Sequence, residues 1–297
     1  MAQPRPLEDM LQLIQAALKQ SQVRDRIRED WIAMLKHIGV AADNAEKVVP
    51  AMLTIYQVGN CPLETIEYIA NAMLEGLWIN TRGLEGKHFP TALASAFEER
   101  ASKIHTLVAP HLTHTGGIVL DFGCGDAAIS KLLQLQSEID VLGADLTDQQ
   151  DVGCRVPFHQ LGGTPDGMGF SKDQFTGALV VDVLSYIEPE SRVATLKALR
   201  KAVQGPVVFV EPVPLDGSFL ETNIQLLNAY FMERVLKYGR NLPLPWATAP
   251  SDEFETLLRL NGWNVDDQEL VGDNRLLSCG QLGLNRYNMF VATPTVG

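Results

Sequence analysis

Cysteine is scarce in this sequence, and its distribution excludes the common cysteine-based metal sites. The 297 residues include four cysteines, Cys61, Cys124, Cys154 and Cys279. No two of them have CxxC spacing, and no histidine stands at the distance typical of a zinc ligand set. Isolated thiols of this kind are typical of reduced cysteines in the cytoplasm. We therefore expect a cytoplasmic protein that binds no metal.

An excess of basic charge and long apolar runs are lacking as well. The net charge is -12 and the sequence pI is about 4.9, and no Lys/Arg cluster offers a surface for nucleic acid. The longest apolar runs have about the length of a strand, far below the ~20 residues of a membrane helix. The opening "MAQPRPLEDMLQLIQ" has acids where a signal peptide is apolar. We expect a soluble protein with no nucleic-acid and no membrane partner.

The first part of the sequence predicts helices. "LEDMLQLIQAALKQ" repeats its apolar residues at the three- and four-residue spacing of an amphipathic helix. Pro50 is expected to interrupt a later helix. Residues 1–88 are therefore predicted to form an all-helical N-terminal domain, which serves as a lid, as a homodimer interface, or as both. Further helices are predicted at Ile27–Ile38, Ala42–Val58 and Leu63–Trp78.

From about residue 117 onward, strands and helices alternate. This order predicts an α/β domain, a doubly wound Rossmann-like sheet of seven strands, over residues 89–297. The last two strands, "WNVDDQEL" and "RYNMFVAT", have no helix between them, so we expect an antiparallel C-terminal hairpin at the sheet edge. A helical insert is predicted at about 215–250. The other strands are "GIVLDF", "DVLGADL", "VPFHQL", "GALVVDVL" and "GPVVFVEPV".

The stretch "IVLDFGCGDAAIS", residues 118–130, predicts a ligand site. Ligands of such sheets bind beyond the carboxyl ends of the strands. Gly123 and Gly125 would let bare backbone approach a ligand, and the helix that starts near Ala127 offers free N–H groups to an anion. Asp145 follows Gly125 by twenty residues and can accept hydrogen bonds from ribose hydroxyls. These features indicate a nucleoside ligand with an anionic end.

Two cofactor classes fit this description, and Asp121 favours one of them. "GCGDAA" matches the dinucleotide pattern G-x-G-x-x-G/A. A carboxylate at position 121 would repel a pyrophosphate, yet it would attract the ammonium group of an amino acid. "VLDFGCGDA" resembles motif I of the class I S-adenosylmethionine-dependent methyltransferases, with Ala127 at the third glycine position.

The resemblance covers roughly residues 91–294. "FSKDQFTGALVVDVLSYIE" is similar to the family's fourth-strand region, although Thr176 replaces the usual Asp and Ser185 replaces a frequent His. "GPVVFVEP" and "YNMFVAT" resemble its later strands. The resemblance implies S-adenosyl-L-methionine as cofactor. It places Asp121, Gly123 and Gly125 at the methionine end, Asp145 at the ribose, Leu146 at the adenine and Asp182 near the transferred methyl.

The resemblance names no catalytic residue. Methyl transfer from a sulfonium depends mainly on the alignment of the reactants, and a base is needed only if the nucleophile must lose a proton. His88, His159 and Glu211 are candidates for such a base. Four aromatic residues are candidates for the acceptor pocket, although aromatic residues in a helical pattern also suit a core. They are Tyr186, Phe219, Tyr230 and Trp246.

The resemblance implies an enzyme that transfers a methyl group to a small molecule, as in specialised metabolism. The acidic charge favours a small acceptor, while a protein acceptor and the methylated atom (O, N, S or C) stay open. One alternative is a binding protein of the same fold, or one that uses the cofactor without methylation. A nicotinamide-dependent oxidoreductase fits less well, because of Asp121 and the terminal hairpin.

Overall fold

The structure, a computed structural model, describes residues 7–37, 40–82, 89–150, 154–162, 168–213, 219–236, 251–272 and 286–295. Two of the predicted site residues, His88 and Trp246, lie outside these ranges. Residues 83–88, the end of the predicted N-terminal domain, lie outside them as well.

Four helices form the N-terminal region, as predicted. Their bounds are α1 Leu7–Lys19, α2 Ser21–His37, α3 Ala42–Val58 and α4 Leu63–Arg82. The expected interruption at Pro50 is wrong, because α3 continues through it. Proline in a helix costs about 3 kcal/mol. The burial of Val49 and Met52 on either side of it contributes about 1.5–3 kcal/mol for each side chain, which offsets that cost.

The apolar face of these four helices packs against a segment from much later in the chain. Helix α8, Phe219–Tyr230, is followed by a π-helical turn, Phe231–Leu236, and both join the same apolar core. The ring of Phe231 stacks on that of Trp31 with centroids 4.1 Å apart. The division at residue 88 stays a prediction, and this helical core includes residues from both sides of it.

The rest of the described chain forms the predicted α/β sheet. Seven strands lie in the order β3-β2-β1-β4-β5-β7-β6, with β1 to β5 parallel and β7 antiparallel to both β5 and β6. The antiparallel hairpin expected at the edge is confirmed. The strands are β1 Val119–Phe122, β2 Val141–Asp145, β3 Phe158–Gln160, β4 Gly177–Val181, β5 Val207–Val213, β6 Trp263–Gly272 and β7 Arg286–Pro294.

Helices cover both faces of the sheet, as its apolar central strands require. One face packs against α5, Phe89–Leu112, and α6, Ala128–Ser137. The other packs against α7, Pro189–Ala202, and α9, Ser251–Leu260. This arrangement leaves the carboxyl ends of β1, β2, β4 and β5 at one common edge. None of the helices in the described ranges is both long and apolar enough to cross a membrane.

Candidate functional site

The glycine turn after β1 has the backbone that its sequence predicts. Gly123 and Gly125 both have positive φ, at 78° and 53°. A Cβ on Gly123 would lie 2.4 Å from Cγ2 of Val183, whereas a Cβ on Gly125 would meet no atom within 4 Å. Gly123 is therefore needed for close packing against the loop after β4, and Gly125 borders open space at the ligand edge of the sheet.

Asp145, at the end of β2, holds this turn. Its Oδ2 accepts a hydrogen bond from the Gly125 N–H at 2.9 Å, and its Oδ1 accepts one from the Leu146 N–H at 2.6 Å. Burial raises the pKa of Asp145, and these backbone donors lower it in part. A carboxylate can accept about four hydrogen bonds, so this one retains capacity for ligand hydroxyls.

Asp121 lies beneath the turn, buried on β1. Its Oδ2 accepts a hydrogen bond from the Ser130 hydroxyl of α6 at 2.6 Å. Burial raises the pKa of Asp121 to about 7, Ser130 lowers it in part, and the negative charge of Asp145 raises it. A cation bound nearby would favour the ionised form of this carboxyl group. The group is therefore suited to a positively charged ligand atom.

Two non-glycine residues of the site have left-handed backbone. Ala127, at the third glycine position of the motif, has φ of 58°, and Asp182, directly after β4, has φ of 54°. Such conformations cost free energy and often occur at functional sites. Asp126 supports the first of them, because its Oδ1 accepts a hydrogen bond from the Ala128 N–H at 3.2 Å.

Asp182 forms an ion pair with Arg100 of α5, a residue that sequence reasoning missed. The Arg100 Nη2 donates to Oδ2 of Asp182, and the guanidinium carbon lies 5.7 Å from the centroid of the Tyr287 ring. This pair links α5, the end of β4 and the start of β7. A single arginine within a helical pattern carries no sequence signal that could have predicted it.

Glu211 is buried near the end of β5 and fixes the loop that follows β4. Its Oε1 accepts hydrogen bonds from the N–H groups of Val183 and Leu184, both at 2.9 Å. Burial raises the pKa of Glu211 to about 8, and the two backbone donors lower it in part. Through this loop Glu211 positions Asp182, and its use as a base stays a prediction.

The remaining candidates are placed differently. Nε2 of His159 lies 2.8 Å from the Met168 carbonyl oxygen, and its ring contacts Phe170. Tyr186 ends a single 3-10 turn after β4 and is half-buried. Tyr230 was predicted to line the acceptor pocket, but it is buried in the helical core with its hydroxyl 3.0 Å from that of Tyr56. Phe219 is the first residue of α8, and the structure does not describe its side chain.

Cys124, between the two glycines of the turn, is poorly suited to act as a nucleophile. Burial and the charges of Asp121 and Asp145 raise the pKa of the Cys124 thiol far above its ordinary value. A protonated thiol is a weak nucleophile, so Cys124 serves here as a small side chain packed against Gly143 of β2. Within the described ranges, no group of three or more His, Cys, Asp or Glu residues is arranged to hold a metal ion.

Comparisons with known proteins bear on the fold. No protein-family model and no curated protein matches the sequence. Geranyl diphosphate C-methyltransferase from Streptomyces coelicolor A3(2), in complex with Mg²⁺, geranyl diphosphate and S-adenosyl-L-homocysteine, matches at 11% identity and a TM-score of 0.51. That match covers 69% of this chain and 83% of the other. The same enzyme with geranyl-S-thiolodiphosphate matches at 12% identity over 65% and 76% of the two chains, with a TM-score of 0.50.

The fold is that of the class I S-adenosylmethionine-dependent methyltransferases. At 11–12% identity, the similarity to these enzymes concerns the fold alone. The fold expected from motif I is confirmed, including the helical N-terminal region and the antiparallel final strands. The glycine turn, Asp145 and Asp182 lie at the ends of the parallel neighbours β1, β2 and β4, which is the edge where ligands of such sheets bind.

Proposed function

We propose that this chain is an S-adenosylmethionine-dependent methyltransferase that acts on a small-molecule acceptor. The observation that supports the proposal most strongly is the hydrogen bond from the Gly125 N–H to Asp145, beside open space at Gly125 and above the buried Asp121. The Streptomyces enzyme of the same fold has S-adenosyl-L-homocysteine bound.

The described residues fit the proposed cofactor. Asp145 and the neighbouring Leu146 would hold the ribose and the adenine, the bare backbone at Gly125 would pass beside the methionine moiety, and Asp121 would favour its ammonium group. S-adenosylmethionine supplies a methyl group that is already activated as a sulfonium. What remains for the chain is to align the acceptor and exclude water.

The helical region is suited to define the acceptor. The side-chain amide of Gln225, on α8, donates to the Val213 carbonyl at the end of β5. The joint core of α1–α4 and α8 therefore stands next to the carboxyl edge of the sheet, where it would act as a lid. The acidic charge of the chain favours a small acceptor over a nucleic acid.

Calorimetric titration with S-adenosylmethionine, S-adenosylhomocysteine and NADH tests the proposal. We expect micromolar binding of the first two and none of the third. Asp145→Ala should abolish this binding in a protein that stays folded, because it removes the ribose acceptor and the support of the Gly125 N–H. Asp148→Ala is the matched control, since Asp148 is an exposed acid close to the same turn.

Equal affinity of the wild-type protein and the Asp145→Ala variant would exclude the ribose assignment. Binding of NADH alone would show that the turn holds a dinucleotide. Turnover of a methyl-labelled donor in the presence of acceptor mixtures then separates a transferase from a protein that only binds the cofactor.

A further inference from the structure

Ser130 is a fully buried hydroxyl in the first turn of α6, and its proton is directed at Asp121. A serine hydroxyl carries a single donor, and inside a helix it often bonds to the carbonyl oxygen four residues earlier. The Ser130 Oγ instead donates to Oδ2 of Asp121 at 2.6 Å. This distance is typical of a hydroxyl that donates to an ionised carboxylate. Ser130 therefore favours the charged form of Asp121.

The other groups close to Asp121 oppose its ionisation. Burial raises the pKa of Asp121 to about 7, and the negative charges of Asp145 and Asp126 raise it as well. The neighbouring Cys124 supplies no compensating charge, because the pKa of its thiol is raised far above the ordinary value. The Ser130 hydroxyl acts in the opposite direction, since its hydrogen bond lowers the pKa of Asp121.

Two basic side chains of α5, the helix on this side of the sheet, bond to other groups. The Arg100 Nη2 donates to Asp182, and Nε2 of His105 lies 2.9 Å from the Ser137 hydroxyl. Burial lowers the pKa of His105 and so favours its neutral form. Among the described residues that act on Asp121, the Ser130 hydroxyl is therefore the group that favours the carboxylate.

We propose that Ser130 is a positioning residue for the cofactor: its hydroxyl orients the Asp121 carboxylate and keeps it ionised, so that Asp121 can bind the ammonium group of the methionine moiety. This inference rests on the proposed function for the identity of the cation, and on the Ser130–Asp121 hydrogen bond for the rest. The bound ammonium supplies the positive charge that a buried carboxylate requires. A nucleoside without an ammonium group gains nothing from this arrangement.

The wild-type protein should therefore bind an ammonium-bearing ligand more tightly as pH rises through the pKa of Asp121, which is about 7. S-adenosylhomocysteine should bind about tenfold more weakly at about pH 6 than at about pH 8. Methylthioadenosine, which has the same nucleoside but no amino-acid group, is the reference probe. Asp145 would contact the ribose of both probes, so the ratio of their Kd values cancels its titration.

Ser130→Ala removes the donor and leaves the Asp121 carboxyl group in place. We expect the pH midpoint of the Kd ratio to rise by about one pH unit or more, because the charged form loses its hydrogen bond. Binding of S-adenosylhomocysteine should then be about fivefold weaker than in the wild type at about pH 7 and nearly equal to it at about pH 9. Methylthioadenosine should bind both proteins alike.

Thr195→Val is the matched control. It removes another fully buried hydroxyl, which donates to the Ser191 carbonyl within α7 on the opposite face of the sheet. The control should keep the wild-type midpoint. Ser130→Cys, with a weaker donor of similar size, should move the midpoint in the same direction as Ser130→Ala and serves as the second variant if the alanine variant does not fold.

Calorimetric titration of both probes across this pH range supplies the ratios. A flat ratio in the wild type, or an equal loss of S-adenosylhomocysteine affinity at every pH in Ser130→Ala, overturns the inference. Methylthioadenosine that still binds in either case leaves the nucleoside site of the proposed function intact. Absence of binding of both probes contradicts the proposed function, and the inference with it.

Discussion

Among single residues, Ala127 and Glu138 show how side-chain burial decides whether glycine would stabilise a position with left-handed backbone. Both have positive φ, at 58° and 53°, and they begin and end α6. A left-handed conformation costs a non-glycine residue about 1–2 kcal/mol, and glycine itself loses about 0.4–1 kcal/mol through the unfolded chain. Ala127 is fully buried, whereas Glu138 is exposed.

Ala127→Gly is therefore expected to be nearly neutral, because the loss of a buried methyl group costs a further ~0.8 kcal/mol. Glu138→Gly, with no buried methyl group to lose, should stabilise the fold by about 0.5–1 kcal/mol. Urea denaturation of the two variants measures the difference. A gain for Ala127→Gly as large as that for Glu138→Gly would show that the methyl contact contributes nothing.

Sequence reasoning predicted the local parts of the site and missed the parts made by distant residues. The glycine turn and Asp145 were predictable because turn geometry and the end of a strand depend on neighbouring residues. The Arg100–Asp182 pair joins residues 82 positions apart. The hydrogen bonds of Glu211 with the Val183 and Leu184 N–H groups join residues 28 and 27 positions apart. Contacts of this kind depend on tertiary packing, which hydrophobic periodicity does not encode.

Among the elements, α4 and the π-helical turn are joined by a buried ion pair. Arg234 donates to both carboxylate oxygens of Glu67, at 3.1 Å and 2.9 Å. The Glu67 side chain is 4% exposed and that of Arg234 is 14% exposed. The sequence predicted a helical insert at about 215–250 without the π turn, because this wider turn has no signature in an apolar pattern.

Glu67→Ala should destabilise the protein by about 3–5 kcal/mol, because it leaves the Arg234 charge buried without its main partner. Glu46→Ala removes a partner of Lys36 in an exposed pair and should cost less than about 1 kcal/mol. The free energy of unfolding from urea denaturation compares the two. Similar losses in both variants would mean that water reaches the Glu67–Arg234 pair.

For the whole molecule, we expect two buried carboxyl groups to dominate the response of stability to pH. Burial raises the pKa of Asp121 from 3.8 to about 7 and that of Glu211 from 4.5 to about 8. The folded state therefore binds these protons more tightly than the unfolded state. Their contribution to stability is complete below the ordinary pKa values and is lost as pH rises through about 7 and 8.

The free energy of unfolding should consequently fall by a few kcal/mol between about pH 5 and about pH 9. The double variant Asp121→Asn/Glu211→Gln keeps an oxygen acceptor at each site but does not titrate, so its decline should be smaller. Urea denaturation across this range measures both curves. Parallel curves would show that other groups dominate the dependence.

The strand order has a consequence for biosynthesis. β7 is the last of the seven strands to be translated, yet it lies between β5 and β6. Until it emerges from the ribosome, β5 presents an unpaired edge, which is a template for aggregation. The apolar face of the N-terminal helices likewise stays uncovered until α8 is synthesised. This helix begins more than 130 residues after α4 ends. A nascent chain of this protein therefore exposes both incomplete cores until α8 and β7 have been synthesised, and we expect it to depend on chaperones during that interval.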